Sequence, residues 1–195
     1  MSVADKQQNL APLVWIDCEM TGLDYEHDRI IEIACVITDG ELSVLEKGRE
    51  IVIHQSKATM DAMNDWCKEH HGNSGLTSRV LKSTTTTAQA EQEVLALVKR
   101  HCKTPRTAIL AGSSVHADRA FLARQMPELT EYLHYRIVDV SSIKELARRW
   151  NPEMLDSLPA KKCRHRALDD ILESIEELRY YKSNFFVLQD TRKKM

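Results

Sequence analysis

Apolar residues concentrate early in the chain in short runs that are typical of buried β-strands. Residues 13–17 are apolar up to a final Asp, and residues 29–38 form a second run rich in β-branched side chains. Asp39 and Gly40 follow that run as a tight-turn signal, so residues 42–53 are predicted to return as a third strand. The opening of the chain is therefore predicted to be a β-meander, with the first strand in the middle of this meander or beside it.

From about Met60 onward the apolar positions follow a helical period. Thr86 and Gln89 form a capping-box pattern ahead of such a stretch, which predicts the start of a helix. The other expectations are helices over residues 115–126, up to Trp150 and from about Ala167 to about Asn184, strands over 107–111 and 136–138, and a loop over 151–162. A strand meander followed by alternating helices and strands predicts an α/β fold, with a mixed sheet flanked by helices.

The length of 195 residues suits one domain with a single main core. We expect this domain to cover residues 11–186, after a flexible N-terminal extension over residues 1–10 and before a frayed tail over residues 187–195. No internal repeat or low-complexity linker divides the sequence.

Composition and charge exclude several classes of function. The 43% hydrophobic and 29% charged residues indicate a globular protein, and no apolar run approaches the roughly 20 residues that span a bilayer. The formal net charge of −2 argues against binding long duplex nucleic acid, which usually requires a strongly basic face. Any nucleic-acid substrate is therefore expected to be short or held by local contacts.

The five cysteines are scattered and include no CxxC pair, so neither a zinc site nor a disulfide framework is indicated. The N-terminus lacks the apolar core of a signal peptide and the Arg-rich character of a transit peptide. A cytoplasmic protein is expected, and a mitochondrial location stays open for a eukaryotic source.

Acidic residues at predicted strand ends and helix starts are candidate metal ligands. Asp17 and Glu19, two positions apart on a strand, project to one face. Asp118 lies early in a helix after a later strand, and His165 and Asp170 open the last helix. Each position has a structural alternative when taken alone, namely a solvated strand end, a helix-capping carboxylate and surface electrostatics. The joint occurrence of all five residues is improbable if each has only such a structural role, and it indicates a cation site.

In order and spacing these five residues resemble the signature of the DEDD exonucleases with a catalytic histidine. Longer segments resemble the oligoribonuclease family in particular; they span residues 16–23, 28–33, 133–136, 144–150 and 165–170. The resemblance covers residues 11–186 and implies an RNase H-like α/β fold. It also implies a 3′→5′ exoribonuclease that hydrolyses very short RNA, especially dinucleotides, to nucleoside 5′-monophosphates.

The resemblance implies that Asp17, Glu19, Asp118 and Asp170 hold two divalent cations, Mg²⁺ or Mn²⁺. Such hard cations prefer carboxylate oxygens, and a pair of them can assist the hydrolysis of a phosphodiester. His165 is implied as the general base, because imidazole titrates near neutral pH.

One alternative for the last acidic ligand stays open. If His165 lay within the final helix, Asp169 would share its face and Asp170 would not. The assignment of Asp170 therefore requires His165 to lie in the loop before that helix.

The resemblance also implies a pocket that closes around two nucleotides. Leu23 is implied as a wedge between the bases, and Trp66 as a platform for the 3′-side base. His70, Ser114 and Tyr135 are implied to close over the 5′ phosphate, with Tyr135 supplied by the neighbouring subunit of a homodimer. Taken alone, a Trp at position 66 would more often belong to the core.

Three histidines and one serine near these motifs are not assigned to the site. His71, His116 and His134 are expected to be incidental surface or loop residues. Ser113 stands where the family usually has Asn, so one amide that could orient this loop is missing.

Three other functions are alternatives to a dinucleotide-degrading enzyme. A tRNA-trimming or proofreading DEDD exonuclease is expected to show a basic strip or an added partner-binding segment. A catalytically inactive nucleic-acid-binding module is expected to have lost some of the five signature residues, all of which are present. A purely structural α/β protein leaves the group of acids without a cause.

Overall fold

The computed structural model describes residues 11–158 and 166–186. Its centre is a mixed sheet whose strands are β1 (Leu13–Met20), β2 (Ile30–Thr38), β3 (Val44–Lys47), β4 (Ile51–Val52), β5 (Ile109–Gly112) and β6 (Ile137–Asp139). The strand order is β3-β2-β1-β5-β6, and β4 also pairs with β2. Pairings among β1 to β4 are antiparallel, whereas β1–β5 and β5–β6 are parallel. The predicted mixed sheet is confirmed, and β1 lies at its centre, beside β2 of the meander.

Helices surround this sheet, and four of them begin after a residue whose side chain caps the first turn. The helices are α1 (Lys57–Asp61), α2 (Asp65–Asn73), α3 (Leu76–Lys82), α4 (Thr87–His101), α5 (His116–Gln125), α6 (Pro127–Tyr132), α7 (Val140–Trp150) and α8 (Ala167–Asn184). The predicted capping box is present, since the side chains of Thr86 and Gln89 each accept a backbone N–H of the other residue. Within the described ranges, none of these helices has the length and apolar character needed to cross a membrane.

Alternate residues of β1 face two different cores. Val14, Ile16 and Cys18 pack in the cluster that includes residues of α4 and α5. Trp15 packs on the other face, in the cluster to which α8 contributes Ile171 and Ile175. By the period of two along a strand, Asp17 and Glu19 share the face of Trp15. The face that carries both acids is therefore the face that α8 covers.

The segment after β2 departs from the prediction. Leu42, rather than Gly40, adopts the left-handed conformation, with φ 72°. Residues 42–53 form two short strands instead of one. The strand pairing is interrupted between them at Gly48, whose N–H donates to the carbonyl of Cys35 at 2.8 Å. A Cβ at position 48 would lie 2.9 Å from that carbonyl oxygen, so this close approach requires glycine.

Two boundaries also differ from expectation. Strand β1 continues through Met20, three residues beyond the predicted end, so Glu19 lies within the strand. A 3₁₀ helix, Pro152–Ser157, occupies part of the predicted loop over 151–162. The predicted extension over residues 1–10, the tail over residues 187–195 and His165 lie outside the described residues, and the domain boundaries stay a prediction.

Candidate active site

Three carboxylates meet where β1 passes under the start of α8. One oxygen from each of Asp17, Glu19 and Asp170 lies within 4.8 Å of the others. Strand β1 contributes the first two at a spacing of two residues, and the first turn of α8 contributes the third. Asp170, and not its neighbour Asp169, is the member of this group, so the geometry favours the assignment that the resemblance implied. Three acidic side chains this close form a site that can hold a cation.

Asp118 approaches the same strand from α5. Its side chain is 6% exposed, and Oδ1 accepts a hydrogen bond of 2.9 Å from the backbone N–H of Cys18, the residue between Asp17 and Glu19. The group of three carboxylates within 4.8 Å of one another does not include Asp118. It lies beside that group and adds a fourth carboxylate to its surroundings.

The carboxyl pKa values show how much negative charge this site concentrates. Burial raises the pKa of Asp17 well above its ordinary range, and the neighbouring acids raise it further. Burial also raises the pKa of Glu19 to about 8, with added repulsion from Glu32, Asp170 and Asp118. The pKa of Asp118 rises to about 7, chiefly through burial. Such carboxylates need either protons or cations to balance their charge.

These pKa values predict how stability depends on pH when no metal is bound. A carboxyl group with a raised pKa in the folded state stabilises the fold below its unfolded pKa of about 4. That stabilisation is lost as the pH rises through about 7 for Asp118 and about 8 for Glu19. In EDTA we expect the melting temperature to fall by about 5 °C or more between pH 5 and pH 8.5. Differential scanning calorimetry across that range measures it.

Two comparisons sharpen this test. Glu19→Gln should flatten the fall, because the amide has no proton to lose. Mn²⁺ should oppose the fall, since it binds the deprotonated carboxylates. A melting temperature in EDTA that is constant or rises with pH would contradict the electrostatic description of the site.

A cavity of about 410 Å³ adjoins the acidic group. It is lined by Cys18, Glu19, Met20, Gly22, Leu23, Asn64, Trp66, Cys67 and His71. Leu23 is 82% exposed and Trp66 is 58% exposed, so the core alternative for Trp66 is wrong. The imidazole of His70 stacks on the Trp66 ring with centroids 3.8 Å apart. Two exposed apolar side chains beside a carboxylate provide surfaces on which planar rings can stack.

The loop that carries Leu23 is built around Asp28. Its carboxylate accepts hydrogen bonds from Thr21 Oγ1 at 2.7 Å and from the N–H of Asp24 at 2.9 Å. A Cβ at position 22 would lie 2.3 Å from Asp28 Oδ2, so Gly22 is required for this close approach. The partly buried carboxylate of Asp28 thereby sets the path of the chain that presents Leu23 at the rim of the cavity.

Ser114 lies in the turn between β5 and α5 with a φ of 55°, a conformation that non-glycine residues rarely adopt. Its N–H donates to Asp139 Oδ1 at 2.9 Å, and its hydroxyl lies 2.9 Å from Ser141 Oγ. Ser113 Oγ also contacts Ser141 Oγ, at 3.0 Å. The hydroxyls of Ser113, Ser114 and Ser141 therefore form one cluster. Asp139 and Ser141, which sequence analysis missed, therefore support this turn.

Tyr135 does not belong to the cavity beside Glu19 within the described part of this chain. Its ring is 69% exposed, stacks on His134 with centroids 4.5 Å apart, and lines a second cavity with Arg106 and Arg119. Within the described residues, Tyr135 and Glu19 therefore line two different cavities.

The expectation for His71 was wrong. His71 is buried, lines the cavity, and its Nε2 lies 2.9 Å from the carbonyl oxygen of Met20. His116 is exposed, with Nδ1 3.4 Å from Asp139 Oδ2, and His134 Nδ1 accepts the N–H of Arg136 at 3.1 Å. His71 thus joins α2 to the end of β1, next to the acidic group.

Glu32 is a further residue that sequence analysis missed at this site. It is 1% exposed and lies directly across from Glu19 in the pairing of β2 with β1. A signal was available, because Glu32 is the single charged residue in the otherwise apolar stretch over residues 30–37.

Acids on the central strand, further acids on two flanking helices and an adjoining cavity form a site that suits metal-dependent cleavage of a phosphodiester. The exonuclease family matches residues 14–178 of the chain. Mitochondrial oligoribonuclease of Mus musculus is 53% identical over 182 residues, which cover 93% of this chain and 76% of the mouse protein. Oligoribonuclease of Rhodococcus jostii is 55% identical over 175 residues, covering 90% of this chain and 88% of that protein. The chain belongs to the oligoribonuclease family and is a metal-dependent 3′→5′ exoribonuclease.

A solved structure shares the fold. Exonuclease I of E. coli in complex with a 5cy-dT13 oligonucleotide superimposes with a TM-score of 0.68 at 16% identity. The match covers 90% of this chain and 41% of that one, so this chain spans less than half the length of exonuclease I. At this identity the likeness shows the common exonuclease fold and confirms the RNase H-like α/β prediction.

Proposed function

We propose that this exoribonuclease acts on very short single-stranded RNA, with dinucleotides as the preferred substrate and nucleoside 5′-monophosphates as products. The observation that carries the proposal is the cavity of about 410 Å³ that Leu23 and Trp66 share with Glu19. Its size is that of a pocket for a small ligand rather than a channel for a long strand. The formal net charge of −2 accords with a substrate held by local contacts instead of a basic surface.

Asp17, Glu19, Asp118 and Asp170 would hold two divalent cations, Mg²⁺ or Mn²⁺. The donors fit such ions, since all four are carboxylates and burial raises the pKa of Asp17, Glu19 and Asp118. Bound cations would supply charge stabilisation for the phosphodiester in its transition state. His165 immediately precedes Arg166, the N-cap residue of α8, in the sequence. It would take the proton of the attacking water.

The substrate would lie between the exposed apolar side chains of the cavity. Leu23 would separate the two bases, and Trp66 would stack on the 3′-side base, a contact worth about 1–3 kcal/mol. His70 keeps the Trp66 ring in place through the stacked contact and through Nδ1, which lies 3.0 Å from the Trp66 carbonyl oxygen. His70, Ser114 and, from a second subunit, Tyr135 would close over the 5′ phosphate.

This arrangement makes the active form a homodimer. A pocket closed by a residue of the partner leaves room for few nucleotides, which supports the preference for dinucleotides. A cytoplasmic location, or a mitochondrial one in a eukaryotic source, accords with relatives from bacteria and with the mitochondrial relative of mouse.

Substrate length is the direct test. We expect a 5′-phosphorylated dinucleotide to be cleaved fastest in Mn²⁺, with rates falling steeply for RNA of three, five and seven nucleotides. All rates should vanish in EDTA, because the carboxylates alone repel the phosphodiester. Quenched-flow or gel assays with end-labelled RNA provide the rates.

Other outcomes would change the conclusion in defined ways. Equal rates at every length would keep the exonuclease and discard the closed pocket. A preference for long structured RNA would favour a trimming enzyme of the same fold. Metal binding without cleavage at any length would identify a binding module.

A further inference from the structure

Glu32 is a buried carboxylate that the proposed reaction does not use. It lies in the middle of β2, is 1% exposed and is the Cα partner of Glu19 on β1. Residues directly opposite in a sheet project to the same face, so Glu32 faces the candidate metal site beside Glu19. A buried carboxylate next to another carboxylate is costly unless a positive charge balances it.

Arg79 of α3 supplies that charge. Its Nη2 lies 2.9 Å from Glu32 Oε1 and 3.7 Å from Glu50 Oε2, so one guanidinium serves two carboxylates. The helix that carries Arg79 is anchored, because its residues Leu76 and Val80 are buried against Ile31 of β2. Arg79 therefore reaches Glu32 from a fixed position.

The charged chain continues to the start of α8. Glu50 Oε1 lies 4.0 Å from Nε of Arg166, the residue immediately before α8. The carbonyl of Arg166 accepts the N–H of Asp170 at 3.0 Å. Charges of alternating sign thus run from Glu32, across from Glu19, to the helical turn that bears Asp170.

We propose that Arg79 is a positioning residue of the metal centre, which holds Glu32 and, through Glu50 and Arg166, the first turn of α8 in place. This inference rests on the proposed function, since it takes Glu19 and Asp170 as metal ligands. By fixing the surroundings of one ligand on the sheet and of another on the helix, Arg79 sets their spacing. Residues that orient metal ligands in this way commonly govern metal affinity.

Stability alone does not account for this arrangement. A buried ion pair contributes little net stability compared with well-packed apolar residues of similar size. The outer link from Glu50 to Arg166 is long and partly exposed, and such pairs add little to stability. An effect on the metal site therefore distinguishes the proposal from a structural role.

The experiment measures Mn²⁺ binding by electron paramagnetic resonance, together with kcat and KM for a dinucleotide. Arg79→Met should weaken Mn²⁺ binding about 10- to 100-fold. The apparent kcat at subsaturating Mn²⁺ should therefore fall, because less of the enzyme holds metal. KM for the RNA at saturating Mn²⁺ should change little, since Arg79 does not line the cavity at Leu23 and Trp66. Adding Glu32→Gln to Arg79→Met should recover part of the affinity, because an amide needs no counter-charge.

Matched variants separate the possible results. Arg49→Met breaks the exposed pair with Glu93 and should leave Mn²⁺ binding unchanged. If Arg79→Met lowers only the melting temperature in EDTA and binds Mn²⁺ like Arg49→Met, the proposal is overturned. If Arg79→Met does not fold, Arg79→Lys decides, because a lysine cannot contact Glu32 and Glu50 with one planar group. Normal Mn²⁺ affinity in the folded Lys variant would overturn the proposal.

Asp17→Asn tells a failure of this inference from a failure of the proposed function. It should abolish Mn²⁺ binding whether or not Arg79 has a positioning role. Unchanged Mn²⁺ binding by Asp17→Asn would remove the metal centre and the inference with it. Lost binding in Asp17→Asn and unchanged binding in Arg79→Met would remove the inference alone.

Discussion

Replacement of Asp118 by Asn is expected to lower the turnover of a 5′-phosphorylated dinucleotide by about 10³-fold or more, equivalent to about 4 kcal/mol. The reason is charge rather than shape. Asn keeps an oxygen that can accept the N–H of Cys18, which Asp118 Oδ1 now accepts at 2.9 Å. The variant therefore preserves the contact with β1 and removes a carboxylate that would hold a cation. Single-turnover rates in Mn²⁺ measure the loss.

Asp169, which precedes the proposed ligand Asp170 on α8, provides the control for this variant. Asp169→Asn removes one negative charge within the same helical turn as Asp170, outside the three-carboxylate group, and should keep near-normal turnover. Asp118→Asn should also melt at a higher temperature than the parent protein in EDTA at pH 8, because burial raises the carboxyl pKa to about 7. Normal turnover by a folded Asp118→Asn protein would refute the assignment of Asp118 to the metal site.

Local sequence signals predicted much of the fold. Period-two alternation placed Asp17 and Glu19 on one face, and their carboxylate oxygens do meet within 4.8 Å. The capping box at Thr86 and Gln89 marked the start of α4 correctly. Such features depend on residues within a few positions of one another, so a single sequence contains them.

The sequence was least informative where distant parts of the chain meet. Gly48 interrupts the third predicted strand because its backbone approaches Cys35, thirteen residues earlier. The choice between Asp169 and Asp170 depends on how α8 is rotated over the sheet, which helical spacing alone leaves open. The hydrophobic period of a strand or helix shows which of its faces is buried, but it does not show which distant residues that face contacts.

Supporting residues of the site were missed for the same reason. Arg79 and Glu32 are separated by 47 positions, and only the packing of α3 beside β2 brings them together. Asp139 and Ser141 likewise meet Ser114 across the parallel pairing of β5 with β6. Motifs indicate which residues can carry the chemistry, whereas the residues that position them become visible in the structure.

Tyr135→Ala is expected to lower turnover of the dinucleotide by about 10²-fold, because loss of a closing side chain misplaces the substrate. The ring is 69% exposed and lines a cavity with Arg106 and Arg119, away from the residues around Glu19. Truncating an exposed ring should leave the fold and Mn²⁺ binding intact. Tyr25→Ala, at another exposed tyrosine, serves as the control and should retain turnover.

Mixing two inactive variants tests whether Tyr135 acts across a dimer. A subunit with Asp118→Asn keeps its tyrosine, and a subunit with Tyr135→Ala keeps its acids. If each tyrosine completes the partner's site, a hybrid dimer contains one complete site, and an equimolar mixture after subunit exchange should recover about one quarter of the parent activity. If Tyr135 serves its own subunit, no hybrid contains a complete site, and the mixture stays as inactive as its components. Recovery is measured by steady-state turnover after exchange, with unmixed variants treated identically.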